Sequence, residues 1–230
     1  MDYRSVAGQY TAERVIEKSR FISYVAHAAG EEEARAFLDR VRKEHPLATH
    51  VCWAYISDRI GNLQRFSDDG EPQGTAGMPI LGVLKAQELR ETAVAVVRYF
   101  GGIKLGAGGL TRAYASLAAE GLSGAQKVLY TVCRELLIET DYPEVDPLLR
   151  FFGAKGTMVL SREFGARALF TVAVKEAEAE AFTAEVTELL LGRADIVEGE
   201  SYFRPFPAEY GAAPTIRNFT AFYAASEVIV

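Results

Sequence analysis

The chain has 230 residues, with 25 Lys+Arg against 31 Asp+Glu and a formal net charge of −6. That length fits one large domain or two small ones, and 49% hydrophobic with 24% charged residues is ordinary globular usage, which argues against disorder as the main state. No apolar run approaches the ~20 residues that span a bilayer, MDYRSVAGQY lacks a signal core, and Cys52 and Cys133 form no CxxC pair, so a reduced, cytoplasmic protein with no disulfide framework and no thiolate zinc site is expected.

In chain order, Gln9–Val15 and Phe21–His27 are short β-prone segments around the polar Glu17-Lys18-Ser19-Arg20, which suits a hairpin. Glu31–Glu44 places Ala34, Phe37, Leu38 and Val41 at i, i+3, i+4 and i+7, with three glutamates in the first turn, and Pro46 stops this helix. His50–Asp58 and Leu63–Ser67 are strands joined at Gly61-Asn62. After a polar loop over Asp68–Gly77, Pro79 sits in a first helical turn that continues through Ile80, Leu81, Leu84 and Leu89. Thr92–Phe100 is an almost continuous apolar run, hence a buried strand, and a glycine-rich turn leads into a helix over Leu110–Leu122.

The second half has a simpler rhythm. Strand Val128–Thr140, helix Glu144–Phe152, strands Gly156–Arg162 and Arg167–Lys175, helix Ala177–Leu191 and strand Asp195–Phe203 give the order βαββαβ, a ferredoxin-like arrangement. The expected class is therefore α+β: a mixed α/β domain over 1–128, a ferredoxin-like domain over 129–203, and an appended tail over 204–230 that holds three of the eight prolines. Charge follows this division, with a net of +1 over residues 1–130 and −7 over 131–230. The repulsion of phosphate backbones resides in the second half, so the first can present a local basic surface.

Three constellations stand out. Arg98-Tyr99-Phe100-Gly101-Gly102-Ile103-Lys104-Leu105-Gly106-Ala107-Gly108-Gly109-Leu110-Thr111-Arg112 lies between a buried strand and a helix. Its backbone N–H groups can cradle an anion, with Arg98, Lys104 and Arg112 supplying charge. It is neither a Walker A loop nor a complete dinucleotide fingerprint, and its glycines equally serve a sharp turn and close packing. Asp68, Asp69 and Glu71 put three carboxylates within four residues, which suits either a Mg²⁺ site or ordinary turn capping, and no metal is assigned to them. His50 and Cys52 share one face of a strand as a conceivable nucleophile pair, or simply pack beside Trp53 and Tyr55. His27 and His45 show no partner. Lys18 and Arg20, with Arg14, add to the basic set, and Tyr10, Phe21, Tyr99 and Tyr114 interleave aromatics with it, as single-stranded RNA binding uses.

SDDGEPQGTAGMPIL (Ser67–Leu81) and AVVRYFGGIKLGAGGLTRAY (Ala95–Tyr114), with Glu17–Phe21 and Ala48–Ala54, resemble the recurrent segments of the IMPACT/YigZ family over most of residues 5–203. The resemblance implies an N-terminal domain like the second domain of a small-subunit ribosomal protein, and a C-terminal domain like the last domain of elongation factor G. It also implies a role around translation. Eukaryotic members restrain a stress-activated initiation-factor kinase by occupying its activator on the ribosome, as binding proteins without catalytic residues. This chain differs from them in lacking an RWD domain and in carrying the ferredoxin-like domain of bacterial members.

The reading that follows is a non-catalytic, cofactor-free protein that binds RNA, the ribosome or a translation-related protein. Its binding residues would be Lys18, Arg20, Arg98, Gly101, Gly102, Lys104, Gly106, Gly108, Gly109 and Arg112, with a polar site at His50, Asp68, Asp69 and Glu71. No membrane and no DNA-specific motif is implied. The alternative is an enzyme acting on a phosphorylated small molecule or nucleotide, with phosphate on the glycine loop and the Asp/Glu cluster beside it.

Overall fold

A computed structural model of the chain describes residues 1–207. The described residues fall into two units, Tyr3–Leu129 and, together with Met1–Asp2, Tyr130–Phe206.

The first unit contains β1 (Tyr3–Ala7), β2 (Gln9–Ile16), β3 (Ser19–His27), α1 (Gly30–Glu44), β4 (His50–Ile56), β5 (Gln64–Ser67), α2 (Gly77–Ala86), β6 (Thr92–Tyr99) and α3 (Gly106–Gly124). Its five-stranded sheet has the order β2-β3-β6-β4-β5, antiparallel throughout. β6 lies at the centre and is buried from Thr92 to Arg98, which is why its sequence reads as one apolar run. Alternation along it supplies two cores. Ala93, Ala95 and Val97 pack with Phe37, Leu38 and Val41 of α1. Val94 and Val96 pack on the other face with Ile80 and Leu84 of α2 and Leu110, Tyr114 and Leu117 of α3. The sheet is thus a middle layer with α1 on one face and α2 and α3 on the other.

Two expectations need correction here. α2 ends at Ala86, and Leu89 lies beyond it, after Glu88 turns the chain through φ 54°. Leu89 is nonetheless buried in the α2/α3 core, so its burial mimicked a helical position. α3 begins at Gly106 rather than at Leu110, so Gly106, Gly108 and Gly109 form its first turn and only Gly101 and Gly102 belong to the preceding loop.

The second unit runs from β7 (Gln126–Thr140, which starts in the first unit) through α4 (Val145–Lys155), β8 (Met158–Phe164), β9 (Ala168–Lys175) and α5 (Ala179–Leu189) to β10 (Ala194–Pro207). The strand order β10-β7-β9-β8 is that of a ferredoxin-like fold. α4 closes on Gly156 in the left-handed region, φ 63°. Leu136, Ile138, Phe170 and Val172 from the sheet pack against Phe152 of α4 and Phe182 and Val186 of α5. The last strand extends through Pro207, so residues 204–207 are strand rather than tail, and the rest of the expected tail lies outside the described residues.

Candidate functional site

The two glycine-bearing blocks meet at the end of β6. Register places Arg98 opposite both Phe21 and His50, and Val96 opposite Cys52, so these side chains share the α2/α3 face. Arg98 Nη1 lies 2.6 Å from Glu71 Oε1, with side chains only 5% and 4% exposed. The Tyr114 hydroxyl donates to the same oxygen at 2.7 Å, and His50 Nε2 stands 3.9 Å from it. Arg98 Nη2 donates to Ser19 Oγ at 3.3 Å, and the guanidinium lies 5.3 Å from the ring centroids of both Phe21 and Phe100. Arg98 is therefore spent on an internal pair that ties the Ser67–Leu81 block to the Ala95–Tyr114 block. It is not an exposed anion ligand.

The carboxylates diverge rather than converge. Asp68 accepts from the backbone N–H groups of Gly74 (2.8 Å), Ala76 (3.0 Å) and Gly77 (2.8 Å). Burial raises its pKa, and the donors of Gly74, Gly77 and Ala76 outweigh that and hold it below the ordinary value. Asp69 accepts from Val51 N–H at 2.7 Å, and its carbonyl accepts from His50 Nδ1 at 2.8 Å, so that nitrogen carries the proton. Glu71 faces Arg98. Three carboxylates adjacent in sequence thus go to three separate partners, and each fixes a loop.

Cys52 is fully buried and its thiol donates to the Asp68 carbonyl at 3.0 Å. Burial pushes the thiol pKa up to about 12, and the Tyr114 hydroxyl is likewise raised by burial, then by Cys52 and Glu71. A thiol held protonated is not a nucleophile. His50 and Cys52 each donate to a separate backbone carbonyl of the same loop, those of Asp69 and Asp68, and so pin that loop to β4.

The basic residues are sorted just as sharply. Ser19–Ile22 alternate faces, which sends Arg20 to the α1 side of the sheet, where it pairs bidentately with Glu13 at 2.8 Å and lies over the Tyr99 ring. Arg14 pairs with Glu120. Lys18, Lys104 and Arg112, in contrast, make no ion pair among the described residues. Glu17 and Lys18, at φ 44° and 61°, form the two-residue turn between β2 and β3. Gly101 packs directly on that turn: a Cβ there would land on the Lys18 carbonyl. Lys104, Leu105, Gly109 and Arg112, with Glu17 from the turn and Ser116, line an open groove of about 540 Å³. The α3 N-terminus beside it has no side-chain cap and no acid in its first turn, so its free N–H groups carry partial positive charge.

Of the aromatics expected to interleave with these cations, Phe21 and Tyr114 are fully buried and pack edge-to-face at 5.5 Å. They are core, unable to stack on a base. Tyr99 instead bonds His45 Nδ1 at 2.8 Å, while Tyr24 holds Nε2 at 2.6 Å. His27 Nδ1 meets Ser5 Oγ at 2.9 Å. Both histidines thus have partners distant in sequence, which no local pattern announces.

The known proteins that this chain is similar to agree with the two-unit division. Residues 17–122 match the Impact N-terminal domain, and residues 138–193 match a domain of unknown function, DUF1949. The IMPACT family member YvyE of Bacillus subtilis is 41% identical over 194 residues, covering 84% of this chain and 88% of YvyE. The IMPACT family member YigZ of Escherichia coli is 35% identical over 193 residues, covering 83% of this chain and 95% of YigZ. A crystal structure of a hypothetical protein superposes with a TM-score of 0.56 at 33% identity, covering 86% of this chain and 98% of that one. With both blocks, both domains and relatives matched over nearly their full length, this chain belongs to the IMPACT family.

Proposed function

We propose that the protein is a non-catalytic RNA-binding protein of the translation machinery, and that it holds a phosphate backbone in the groove at the start of α3. One observation carries this reading. Lys104 and Arg112 stay unpaired among the described residues beside an uncapped helix N-terminus, and Lys18 stays unpaired in the β2–β3 turn, while Arg14, Arg20 and Arg98 of the same region are neutralised. Anions are stabilised at such an end by both the exposed N–H groups and the helix dipole. Gly106, Gly108 and Gly109 leave the first turn without side-chain bulk, so a phosphate can approach the backbone closely. The acidic second unit confines the contact to this place.

Co-sedimentation with ribosomes and binding of single-stranded RNA across a salt series test the proposal. Lys104→Ala with Arg112→Ala should weaken binding and reduce the slope of log K against log salt by about 1.4 for single strands, ~0.7 for each phosphate no longer neutralised. Absence of ribosome association at low salt, together with no affinity for single- or double-stranded RNA, refutes it.

A further inference from the structure

On the opposite face of the same sheet, a second groove of about 400 Å³ lies between α1 and the β4–β5 edge. β5 is only four residues long and ends the sheet. Trp53 and Tyr55, two apart on β4, stack there with ring centroids 5.4 Å apart and planes within 5°. Register sets Arg65 of β5 opposite Tyr55, and α1 contributes Arg35 and Arg42, seven apart and so on one helical face. All the cations lining the groove are arginines, drawn from two elements.

Two further observations separate this groove from an ordinary solvated helix face. First, its charge does not cancel: it holds three arginines against Glu31 and Asp39, and Glu31 is shared by Arg35 at 3.1 Å and Arg65 at 3.5 Å. Among the described residues, Arg42 meets a carboxylate only at 3.8 Å, from Asp69 outside the groove. Second, the indole N–H of Trp53 is buried and has no acceptor among the described residues. A desolvated donor left open in this way is uncommon in a folded protein.

We propose that this groove binds a nucleobase carrying a phosphate, the base stacking on Trp53 and the phosphate held by Arg42 and Arg65. A planar base matches the aromatic floor, and a phosphate matches the net positive, bidentate-capable arginine set. The volume suits one nucleotide. The same chemistry occurs in a free nucleotide and in an unpaired nucleotide of a strand.

Trp53 is the only tryptophan in the chain, so its fluorescence reads the site directly. The full chain is titrated with AMP, UMP, adenosine, inorganic phosphate and a short adenylate strand. Saturable quenching by AMP or UMP, with adenosine at least about tenfold weaker and no quenching by phosphate alone, is the expected result. Arg42→Ala and Arg65→Ala should each weaken nucleotide binding several-fold; both are exposed, and circular dichroism verifies their folding. A strand that binds more tightly than AMP identifies RNA as the source, and equal affinity identifies a free nucleotide. Lys104→Ala with Arg112→Ala should leave the quenching unchanged, which separates this site from the α3 groove. No saturable quenching by any nucleotide or strand at millimolar concentration, or quenching indifferent to both arginine substitutions, overturns the proposal.

Discussion

Replacing Arg98 by methionine would leave Glu71 with the Tyr114 hydroxyl as a donor but without a counter-charge. A surface ion pair is worth ~0–1 kcal/mol, whereas stripping one partner from a buried pair costs ~3–5 kcal/mol. Side-chain exposures of 5% and 4% and a contact of 2.6 Å place Arg98–Glu71 in the second class. Glu71→Gln should cost a similar amount, because it keeps the tyrosine bond but strands the guanidinium between Phe21 and Phe100. The double substitution to methionine removes both charges and should be less destabilising than either single change, losing mainly the hydrogen bonds of Tyr114 and Ser19 at ~1 kcal/mol each. Urea unfolding followed by Trp53 fluorescence measures this, because the sole tryptophan lies in the same unit and avoids mixing two units in one signal. With a urea m-value of ~2 kcal/mol/M, the single variants should lower the midpoint by about 1.5–2.5 M. Single losses below ~1 kcal/mol, or a double variant that equals the sum of the singles, would refute the reasoning.

Gly101→Ala should destabilise more than Gly102→Ala, although the two are neighbours. The first drives a Cβ into the Lys18 carbonyl, a backbone clash costing ~1–3 kcal/mol, while the second meets only open space at φ 87° and costs ~1 kcal/mol; thermal melts of the pair distinguish them. Asp68→Asn should cost ~1–3 kcal/mol near neutral pH, since it removes the charge that three backbone donors converge on. Its native carboxyl titrates below the ordinary value of about 3.9. The stabilisation is therefore complete above about pH 5 and lost as pH falls through the native pKa. Acid titrations of stability should show that component in the parent chain and lack it in Asp68→Asn. Cys52 and Cys133 are both fully buried, with thiols pushed by burial up to about 12 and about 11. A thiol reagent at pH 8 should react with neither in the native chain and with both in urea, and rapid native reaction of Cys52 would restore it as a nucleophile.

Elements with a repeating pattern are readable from sequence, because a helix or strand writes its buried face into every third or second residue. α1 and the whole βαββαβ order of the second unit are of this kind, while β6 is readable for the opposite reason, as a continuous apolar run buried on both faces. The glycines of the α3 first turn conceal a helix, since their low intrinsic propensity outweighs any periodicity when only four residues are in view. β1 is missed for another reason. Its five residues are too few to show alternation, and its Ser5 finds His27 and Thr92, 22 and 87 positions away. Loop carboxylates fail similarly: nothing local tells whether Asp68 will meet a metal or its own loop's N–H groups.

The same ambiguity governs where function resides. Arg98 and Glu71 each read as ligands when taken with their sequence neighbours, and the fold spends them on one another across 27 positions. Charge density in a motif therefore measures neither affinity nor catalysis until the internal pairs are subtracted. What survives the subtraction is small and specific: Lys104 and Arg112 beside an uncapped helix end on one face, and an arginine excess over a tryptophan with an unsatisfied N–H on the other. Trp53 lies beside Cys52, and its sequence context reads simply as strand interior. It is left half-buried because α1 is the helix that packs on that face, and β4 lies there beside the edge strand β5.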